Sequence, residues 1–351
     1  MSHLDILIPF ALPPAEMSAD LLKELHLPAL ATLTARASGA ARRNEVCTEF
    51  SRALPHEKWL SQQFGMADTM TGTGSPPIAK ALMQSFGLPP HPGRWFVLQP
   101  VHIHIARDHL VLTDVRHLDL TEAESRSLFD IAKPLFEEAG KELFYGNATT
   151  WFLRSDEWTD LKTSSPDAAT GHNIDIWMPK GPGERDWRRV QNEVQMHWHN
   201  HPLNEERETR RLKPINSLWL WGGSADVPGV SDGYSHTFNL SSWMKAFEEY
   251  VPHRMTTEKA SEAISARPKR GLLVLDGLLE PALSNDWGRW LEHMRSFEAE
   301  WFAPLLDALK SGTIGGITTI LTNDARISHF ATTRSSLRKF WIKPTLASLR
   351  P

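Results

Sequence analysis

The hydrophobic and polar positions along the chain predict strands near both ends and helices between them. Apolar runs of strand length cover Leu4–Phe10, Gly271–Asp276 and Gly316–Thr322, and apolar residues at helical spacing cover Leu21–Ala37 and Trp287–Leu309. Pro28 falls inside the first helical stretch, so we expect a kink or a restart there. This order of elements predicts an α/β sheet to which both chain ends contribute.

The middle of the chain has a different pattern, which is typical of a separate α+β domain. Strand-like runs cover Trp95–Ile105, His109–Thr113 and Phe144–Arg154. Thr121, with Glu124 three residues later, gives a capping-box signal that predicts a helix to about Glu138. We therefore divide the chain into an α/β core, residues 1–70 and 225–351, and a smaller inserted α+β domain, residues 71–224.

Most of the side chains suited to ligand binding lie in one segment, residues 199–224. We expect Pro202 to stop the preceding helix, which would leave Asn204 and Arg207 at a helix-to-loop junction. The short apolar strand Leu218–Trp221 then runs into two glycines, whose conformational freedom suits a tight turn with backbone amides close to an anion. The candidate ligand-binding residues are His201, Asn204, Arg207, Asn216, Gly222 and Gly223.

Ordinary structural roles compete with binding at these positions. Arg207 could pair with Glu205 or Asp226 instead of clamping a phosphate or carboxylate. Asn204 and Asn216 could satisfy turn backbone, which asparagine side chains do readily.

The histidines raise the question of a metal. His197 and His201 are four residues apart, a spacing compatible with shared ligation on one helical face, although hydrogen-bonding roles are commoner. His102 and His104 alternate on a predicted strand, where solvent or sheet neighbours are the ordinary contacts.

Composition and charge exclude several classes of protein. The chain has 351 residues, 38 Lys and Arg against 42 Asp and Glu, and a formal net charge of −4, so its overall charge attracts neither nucleic acid nor an anionic membrane. The basic runs Arg207–Lys213 and Arg334–Lys343 are interpreted as solvated faces. Cys47, the single cysteine, excludes an internal disulfide and a multi-cysteine zinc site, and we expect a buried, inert thiol. No secretory leader pattern opens the sequence, so we expect a cytoplasmic protein.

A family resemblance enters through the central segment. The pattern His201-Pro202-x-Asn204-x-x-Arg207, then Pro214-x-Asn216 and an apolar strand into Gly222-Gly223, resembles the archaeal-type cofactor-independent phosphoglycerate mutases of the alkaline phosphatase superfamily. The run from His197 to Pro202, with Asn216 to Leu220, is more closely similar to bacterial regulatory proteins of the RpfE type, distant relatives of those mutases. Thr73-Gly74-Ser75-Pro76 stands where the mutases have a Gly-Arg-Gly-Pro loop. The resemblance covers about residues 70–225 and implies an alkaline-phosphatase-like core sheet.

The same resemblance implies a metal site that the sequence lacks in part. The mutases have a metal-binding Asp-Gly after the first strand, whereas here that strand runs into Pro9-Phe10. Asp276 and Asp324 close two late strands, but alanine follows Asp324 where the resemblance implies histidine. Ser75 replaces the loop arginine, and a hydroxyl cannot make a bidentate charge-assisted contact. Because a pair of divalent ions needs several ligands each, we expect no cofactor.

Three functions remain open. The leading hypothesis is a catalytically degenerate, mutase-like protein that binds a small phosphorylated or carboxylated metabolite and acts as a sensor or regulator, with a protein partner left open. The first alternative is an active phosphomutase or phosphohydrolase with manganese or zinc. Its candidate metal ligands are Asp276, Asp324 and His329, and its candidate nucleophiles are Thr71 and Ser75.

The second alternative is an interaction module. Six of the 14 tryptophans crowd residues 177–243, and aromatic side chains are enriched at interface hot spots. On this hypothesis Trp219 and Trp221 contribute to the contact surface.

Overall fold

The structure is a computed structural model that describes residues 2–38, 42–46, 51–66, 74–89, 91–225 and 233–350. The chain divides into two compact units. Met1–Glu49 and Val230–Pro351 form the terminal unit, and Phe50–Gly229 forms the inserted unit. The inserted unit is about as long as the terminal unit rather than smaller. The predicted boundary at residues 70 and 71, like Cys47, lies outside the described residues.

The strands are given in chain order. They are β1 (His3–Ile8), β2 (Arg42–Val46), β3 (Trp95–Val101), β4 (Ile103–Ala106), β5 (His109–Leu112), β6 (Glu142–Asn147), β7 (Thr150–Arg154), β8 (Ser217–Ser224), β9 (His236–Phe238), β10 (His253–Met255), β11 (Arg270–Val274), β12 (Gly316–Thr322) and β13 (Arg326–Thr333).

The α-helices follow in the same way. They are α1 (Ser18–Lys23), α2 (Pro28–Ala35), α3 (Pro55–Gln63), α4 (Ala79–Ser85), α5 (Glu122–Glu138), α6 (Pro166–Ala169), α7 (Glu184–His199), α8 (Pro202–Thr209), α9 (Ala260–Ser265), α10 (Leu279–Leu283), α11 (Trp287–Phe297) and α12 (Ala303–Ser311). Short 3₁₀ turns cover Val115–His117, Ile174–Ile176, Ser242–Tyr250, Ser336–Arg338 and Leu346–Leu349, and a π turn covers Glu298–Phe302.

The terminal unit has a mixed sheet of seven described strands in the order β10-β9-β11-β1-β12-β13-β2. β1 lies between β11 and β12 and runs parallel to both, with Leu7 opposite Val274 and Ile320. Its residues from Leu4 onward are buried, as expected where both faces of a parallel sheet are covered. The predicted α/β sheet built from both chain ends is confirmed. Pro28 begins a second helix, so the expected restart is confirmed too.

The inserted unit has an antiparallel sheet in the order β6-β7-β3-β8 and the separate hairpin β4-β5. The predicted single strand Phe144–Arg154 is wrong, because the chain turns between Asn147 and Thr150 and pairs with itself. The predicted capping box is confirmed. The Glu124 carboxylate accepts the Thr121 backbone N–H at 2.9 Å and the Thr121 hydroxyl accepts the Glu124 N–H at 3.3 Å, which fixes the start of α5.

The segment after α7 differs from the prediction. Pro202 does not lead into a loop but is the first residue of α8, a position where proline's missing N–H costs nothing. Asn204 and Arg207 therefore lie within a helix rather than at a junction with a loop. Gly222 and Gly223 are likewise part of β8 and not of a turn beyond it.

Tryptophan rings fill the core of the inserted unit. Trp151 and Trp198 meet edge to face at 6.0 Å, and Trp158 and Trp187 do so at 6.2 Å. Such pairs each add about 0.5–1.5 kcal/mol beyond the area they bury. Trp219 and Trp221 are also buried, so the predicted tryptophan contact surface is wrong at these positions.

One carboxyl group is completely buried in the inserted unit. Glu57, in the first turn of α3, accepts hydrogen bonds from the Leu54 N–H at 2.8 Å and the Ser165 hydroxyl at 2.7 Å. Burial and the nearby Asp167 raise the pKa of Glu57 to about 8. The group is therefore mostly uncharged at neutral pH.

This raised pKa predicts a pH-dependent stability. A carboxyl whose pKa is higher in the folded state stabilises the fold below its unfolded pKa, and this contribution is lost as the pH rises through the folded value. We expect the ionisation of Glu57 to lower the free energy of unfolding of the wild type relative to that of Glu57→Gln between about pH 4.5 and pH 8. Glu57→Gln should lack this contribution and be the more stable form at pH 9, by on the order of 5 kcal/mol. Urea denaturation across the pH range measures this. Glu138→Gln, at an exposed position, is the control, and parallel pH profiles for Glu57→Gln and the wild type would contradict the assignment.

Candidate anion site

Arg207 was predicted to hold the anion, but its guanidinium is fully buried and engaged. Its Nη1 donates to the Glu124 carboxylate at 2.8 Å, its Nε donates to the Lys213 carbonyl at 2.9 Å, and its Nη2 donates to the Leu118 carbonyl. Glu124 is the capping residue of α5, so Arg207 joins α8 to the start of that helix. This geometry corrects the expectation that Arg207 is available to a ligand.

The neighbouring candidates are also engaged with the backbone. The Asn204 amide donates to the carbonyls of Trp198 and Ile215, each at 2.9 Å, and its oxygen accepts the Ile215 N–H at 2.8 Å. The Asn216 amide forms the same kind of reciprocal pair with the N–H and carbonyl of Ile103. These asparagines stabilise the chain around β8, which is the structural role left open for them.

The histidines do not form a metal cluster. His201 caps α8, with its Nδ1 accepting the Leu203 N–H at 3.2 Å, while His197 is exposed. His102 and His104 stack at 5.8 Å, and the Nδ1 of His102 lies 2.7 Å from the Pro214 carbonyl. Burial lowers the pKa of His102.

The two glycines of β8 have a different environment. Gly222 has a φ of +72° and donates its N–H to the Ser75 hydroxyl at 2.9 Å, and that hydroxyl lies 2.8 Å from the hydroxyl of Thr163. A Cβ on Gly223 would lie 2.4 Å from the Phe96 ring, so no side chain fits there. Glycine is thus needed at both positions, to bring β8 close to the loop that carries Ser75 and to the ring of Phe96.

A polar cavity of about 140 Å³ opens where these groups meet. That volume is several times the ~30 Å³ that one water molecule takes in the liquid, so a phosphate or carboxylate group fits. The lining residues are Gly74, Ser75, Pro77, Arg94, Phe96, Thr159, Asp160, Leu161, Lys162, Thr163 and Gly223. We call this space the anion cavity.

Two cations line the anion cavity. Arg94 is half-buried and Lys162 is exposed, and neither side chain has a hydrogen bond or ion pair to any residue that the structure describes. One carboxylate, that of the exposed Asp160, also lines it. A guanidinium without a protein partner beside a hydroxyl pair is chemically suited to an anion, because charge-assisted hydrogen bonds are about twice as strong as neutral ones. Among the predicted binding residues, only Gly223 lines this cavity, and Gly222 contacts one of its lining residues, Ser75, through its N–H. Sequence reasoning missed Arg94 and Lys162, which stand in no recognisable motif.

The fold family that the sequence resembles implies a metal site, but the residues present do not fit one. Phe10, with a φ of 57°, follows the end of β1, and its carbonyl accepts the Trp290 indole N–H at 2.8 Å. The Asp276 carboxylate accepts the Ser241 hydroxyl, and Asp324 is exposed. No group of three or more His, Cys, Asp or Glu side chains that could hold a metal is found within the described ranges.

The proposed metal ligands also lie far apart in the sheet. His329 lies in β13, where it pairs with Ile320 of β12. β13 is three strand positions from β11, and Asp276 follows the end of β11. At ~4.8 Å per strand this separation is about 14 Å. Thr71 lies outside the described residues. Ser75, the other candidate nucleophile, has the Thr163 hydroxyl and the Gly222 N–H as hydrogen-bond partners and no basic side chain among them.

Comparisons with known proteins bear on the fold. No protein-family model matches the chain, and no curated protein matches it. The PH0037 protein from Pyrococcus horikoshii is similar in structure, with a TM-score of 0.53 and 12% identity over 95% of this chain and 87% of the other. A cofactor-independent phosphoglycerate mutase from Thermoplasma acidophilum DSM 1728 aligns with a TM-score of 0.49 and 13% identity, over 99% of this chain and 94% of that one. The likeness to the Pyrococcus protein shows a shared mixed α/β fold. No helix in the described parts of the chain has the length and apolarity to cross a bilayer.

The position of Arg207 predicts a loss of stability rather than of binding. Arg207→Met breaks a buried ion pair and takes the donor away from the Leu118 and Lys213 carbonyls, so it should lower the free energy of unfolding by about 3–5 kcal/mol in urea denaturation. Arg210→Met is the matched control, because its more exposed guanidinium pairs with the same Glu124 at 3.1 Å and should cost less than about 1 kcal/mol. An Arg207→Met protein of full stability that no longer binds phosphate would restore Arg207 as the ligand-binding residue.

Proposed function

We propose that this chain is a catalytically degenerate protein of the phosphoglycerate mutase-like kind, which binds a small phosphorylated or carboxylated metabolite in the anion cavity and serves as a sensor or regulator. The observation that carries the proposal is that Arg94, a half-buried residue whose side chain has no hydrogen bond or ion pair in the described structure, lines the same cavity as Ser75 and Thr163. The resemblance in sequence to the mutases and to RpfE-type regulatory proteins supports it.

The place of the cavity supports a ligand of this class. Ser75 belongs to the loop that stands, in the sequence resemblance, where the mutases have Gly-Arg-Gly-Pro. The loop has serine in place of that arginine, but Arg94, next to β3, is among the residues that line the same cavity. Arg94, just before the start of β3, thus offers a positive charge that the loop around Ser75 does not supply.

The end of β1 supports the loss of catalysis. The resemblance assigns a metal-binding carboxylate to the residues just after β1, where this chain has Pro9 and the buried Phe10. The N–H of Phe10 donates to the Thr322 hydroxyl at 3.3 Å. An apolar side chain held in this way offers no ligand to a divalent ion, which prefers oxygen and nitrogen donors. We therefore place the ligand in the inserted unit and assign no reaction to the terminal unit.

Binding measurements test the proposal. Calorimetry with 3-phosphoglycerate and with inorganic phosphate should show binding to the wild type. Arg94→Gln should weaken it by about 10- to 100-fold, the equivalent of one charge-assisted hydrogen bond of about 1.5–3 kcal/mol. Arg185→Gln, which removes the same charge at an exposed site, is the matched control and should bind as the wild type does.

Two outcomes would contradict the proposal. The cavity would not be an anion-binding site if neither phosphate nor phosphoglycerate bound to the wild type. The same would follow if Arg94→Gln and Arg185→Gln weakened binding equally. Conversion of 3-phosphoglycerate to its 2-isomer by protein supplied with manganese or zinc would show an active enzyme in place of a degenerate one.

A further inference from the structure

An exposed aromatic pair stands out in the terminal unit. Phe340 is 81% exposed and Trp341 is 70% exposed, and their rings meet edge to face at 5.3 Å. Every other tryptophan of the chain is buried or half-buried. Large aromatic side chains gain free energy when they leave water, so an exposed pair of this size marks a contact surface.

The segment that carries the pair is anchored to Arg36 and Ala37 of the terminal unit. The Arg36 guanidinium donates to the Leu337 carbonyl at 3.1 Å and to the Ile342 carbonyl at 3.5 Å, on either side of the pair. The Lys339 ammonium donates to the Ala37 carbonyl at 3.2 Å. The backbone that presents the rings is therefore anchored, which lowers the entropy lost when a partner binds.

The surroundings of the pair are basic. No Asp or Glu follows Asp324 in the sequence, while six Lys and Arg do. Arg338 and Lys343 are exposed on either side of the rings, and neither side chain has a bonded partner among the residues that the structure describes. This local charge is opposite to the net charge of −4 of the whole chain.

An apolar groove continues from Lys343. It has a volume of about 700 Å³, its floor includes Leu22, Leu27 and Leu346, and its rim includes Lys23, Lys343 and Arg350. A concave surface of this kind takes a protruding helix or an extended segment, whereas a flat lipid surface would leave it unfilled. The positive rim favours acidic side chains beside the apolar ones.

We infer that the aromatic pair and the groove beside it form a docking surface for an acidic, amphipathic segment of a partner protein. Apolar residues of the segment contact Phe340, Trp341 and the groove, and its carboxylates face Arg338 and Lys343. Helix-in-groove recognition has this arrangement of apolar anchors and complementary charges. The inference does not depend on the anion cavity, because it involves other residues and no small ligand.

Fluorine NMR of protein labelled with 5-fluorotryptophan tests the inference. The resonance of Trp341 is assigned by its loss in Trp341→Phe. The probe is a synthetic helical peptide with leucine on one face and glutamate on the other. We expect it to shift the Trp341 resonance and leave those of the buried tryptophans unchanged. Phe340→Ala should weaken binding by about tenfold or more, since it removes one aromatic anchor.

Charge reversal distinguishes specific docking from non-specific hydrophobic binding. Lys343→Glu combined with Arg338→Glu should abolish binding of the glutamate peptide and create binding of the matched lysine peptide. Both positions are exposed, so the melting temperature should stay unchanged and serve as the folding control.

Other outcomes would overturn the inference. The first two are no shift of the Trp341 resonance with the acidic peptide, and equal shifts with the acidic and the basic peptide. A shift only with phosphatidylserine vesicles or single-stranded DNA would point to another kind of partner. A shift that depends on protein concentration alone would point to self-association.

Discussion

The packing of the inserted unit around β8 depends on one close approach, that of Gly223 to the ring of Phe96. A methyl group at Gly223 would lie 2.4 Å from a ring carbon, so β8 can pair with β3 in this register only because this residue has no side chain. Next to it, the N–H of Gly222 contacts Ser75, which fixes the loop before α4. The anion cavity is the space that this packing leaves beside Arg94.

Two arginines of the inserted unit, Arg207 and Arg94, show how burial decides between a structural role and a binding role. Arg207 has the sequence context of a ligand clamp, yet it is fully buried, with Glu124 and two carbonyls as partners. Arg94 stands in no motif, yet it lines a cavity and its side chain has no hydrogen bond or ion pair in the described structure. A guanidinium whose donors are satisfied internally contributes to stability, while one left beside a polar cavity can contribute to binding.

The sequence predicted the parts of the fold that depend on local patterns. The strands around β1, β11 and β12 are short apolar runs, and the start of α5 has the side chains of a capping box, so both were predicted from neighbouring residues. The β6–β7 turn was missed because Gly146 and Asn147 interrupt an otherwise apolar run only briefly. β13 was missed because Arg326, Ser328 and Thr332 break its apolar pattern, and its pairing with β12 supplies what local propensity does not.

The candidate site could be predicted only in part. Gly222 and Gly223 were identified because glycine pairs permit close backbone approach; Gly223 lines the cavity, and Gly222 bonds to the lining residue Ser75. Arg94 and Lys162 lie 68 residues apart in sequence and meet at one cavity only through the fold, which no local pattern encodes.

The most direct test of the central claim is a crystal structure of the protein soaked with 3-phosphoglycerate. We expect the phosphate or carboxylate to lie in the anion cavity within hydrogen-bonding distance of the Arg94 guanidinium, with Arg207 still bonded to Glu124. An anion bound by Arg207, or one held by metal ions at the carboxyl ends of β1 and β11, would contradict it.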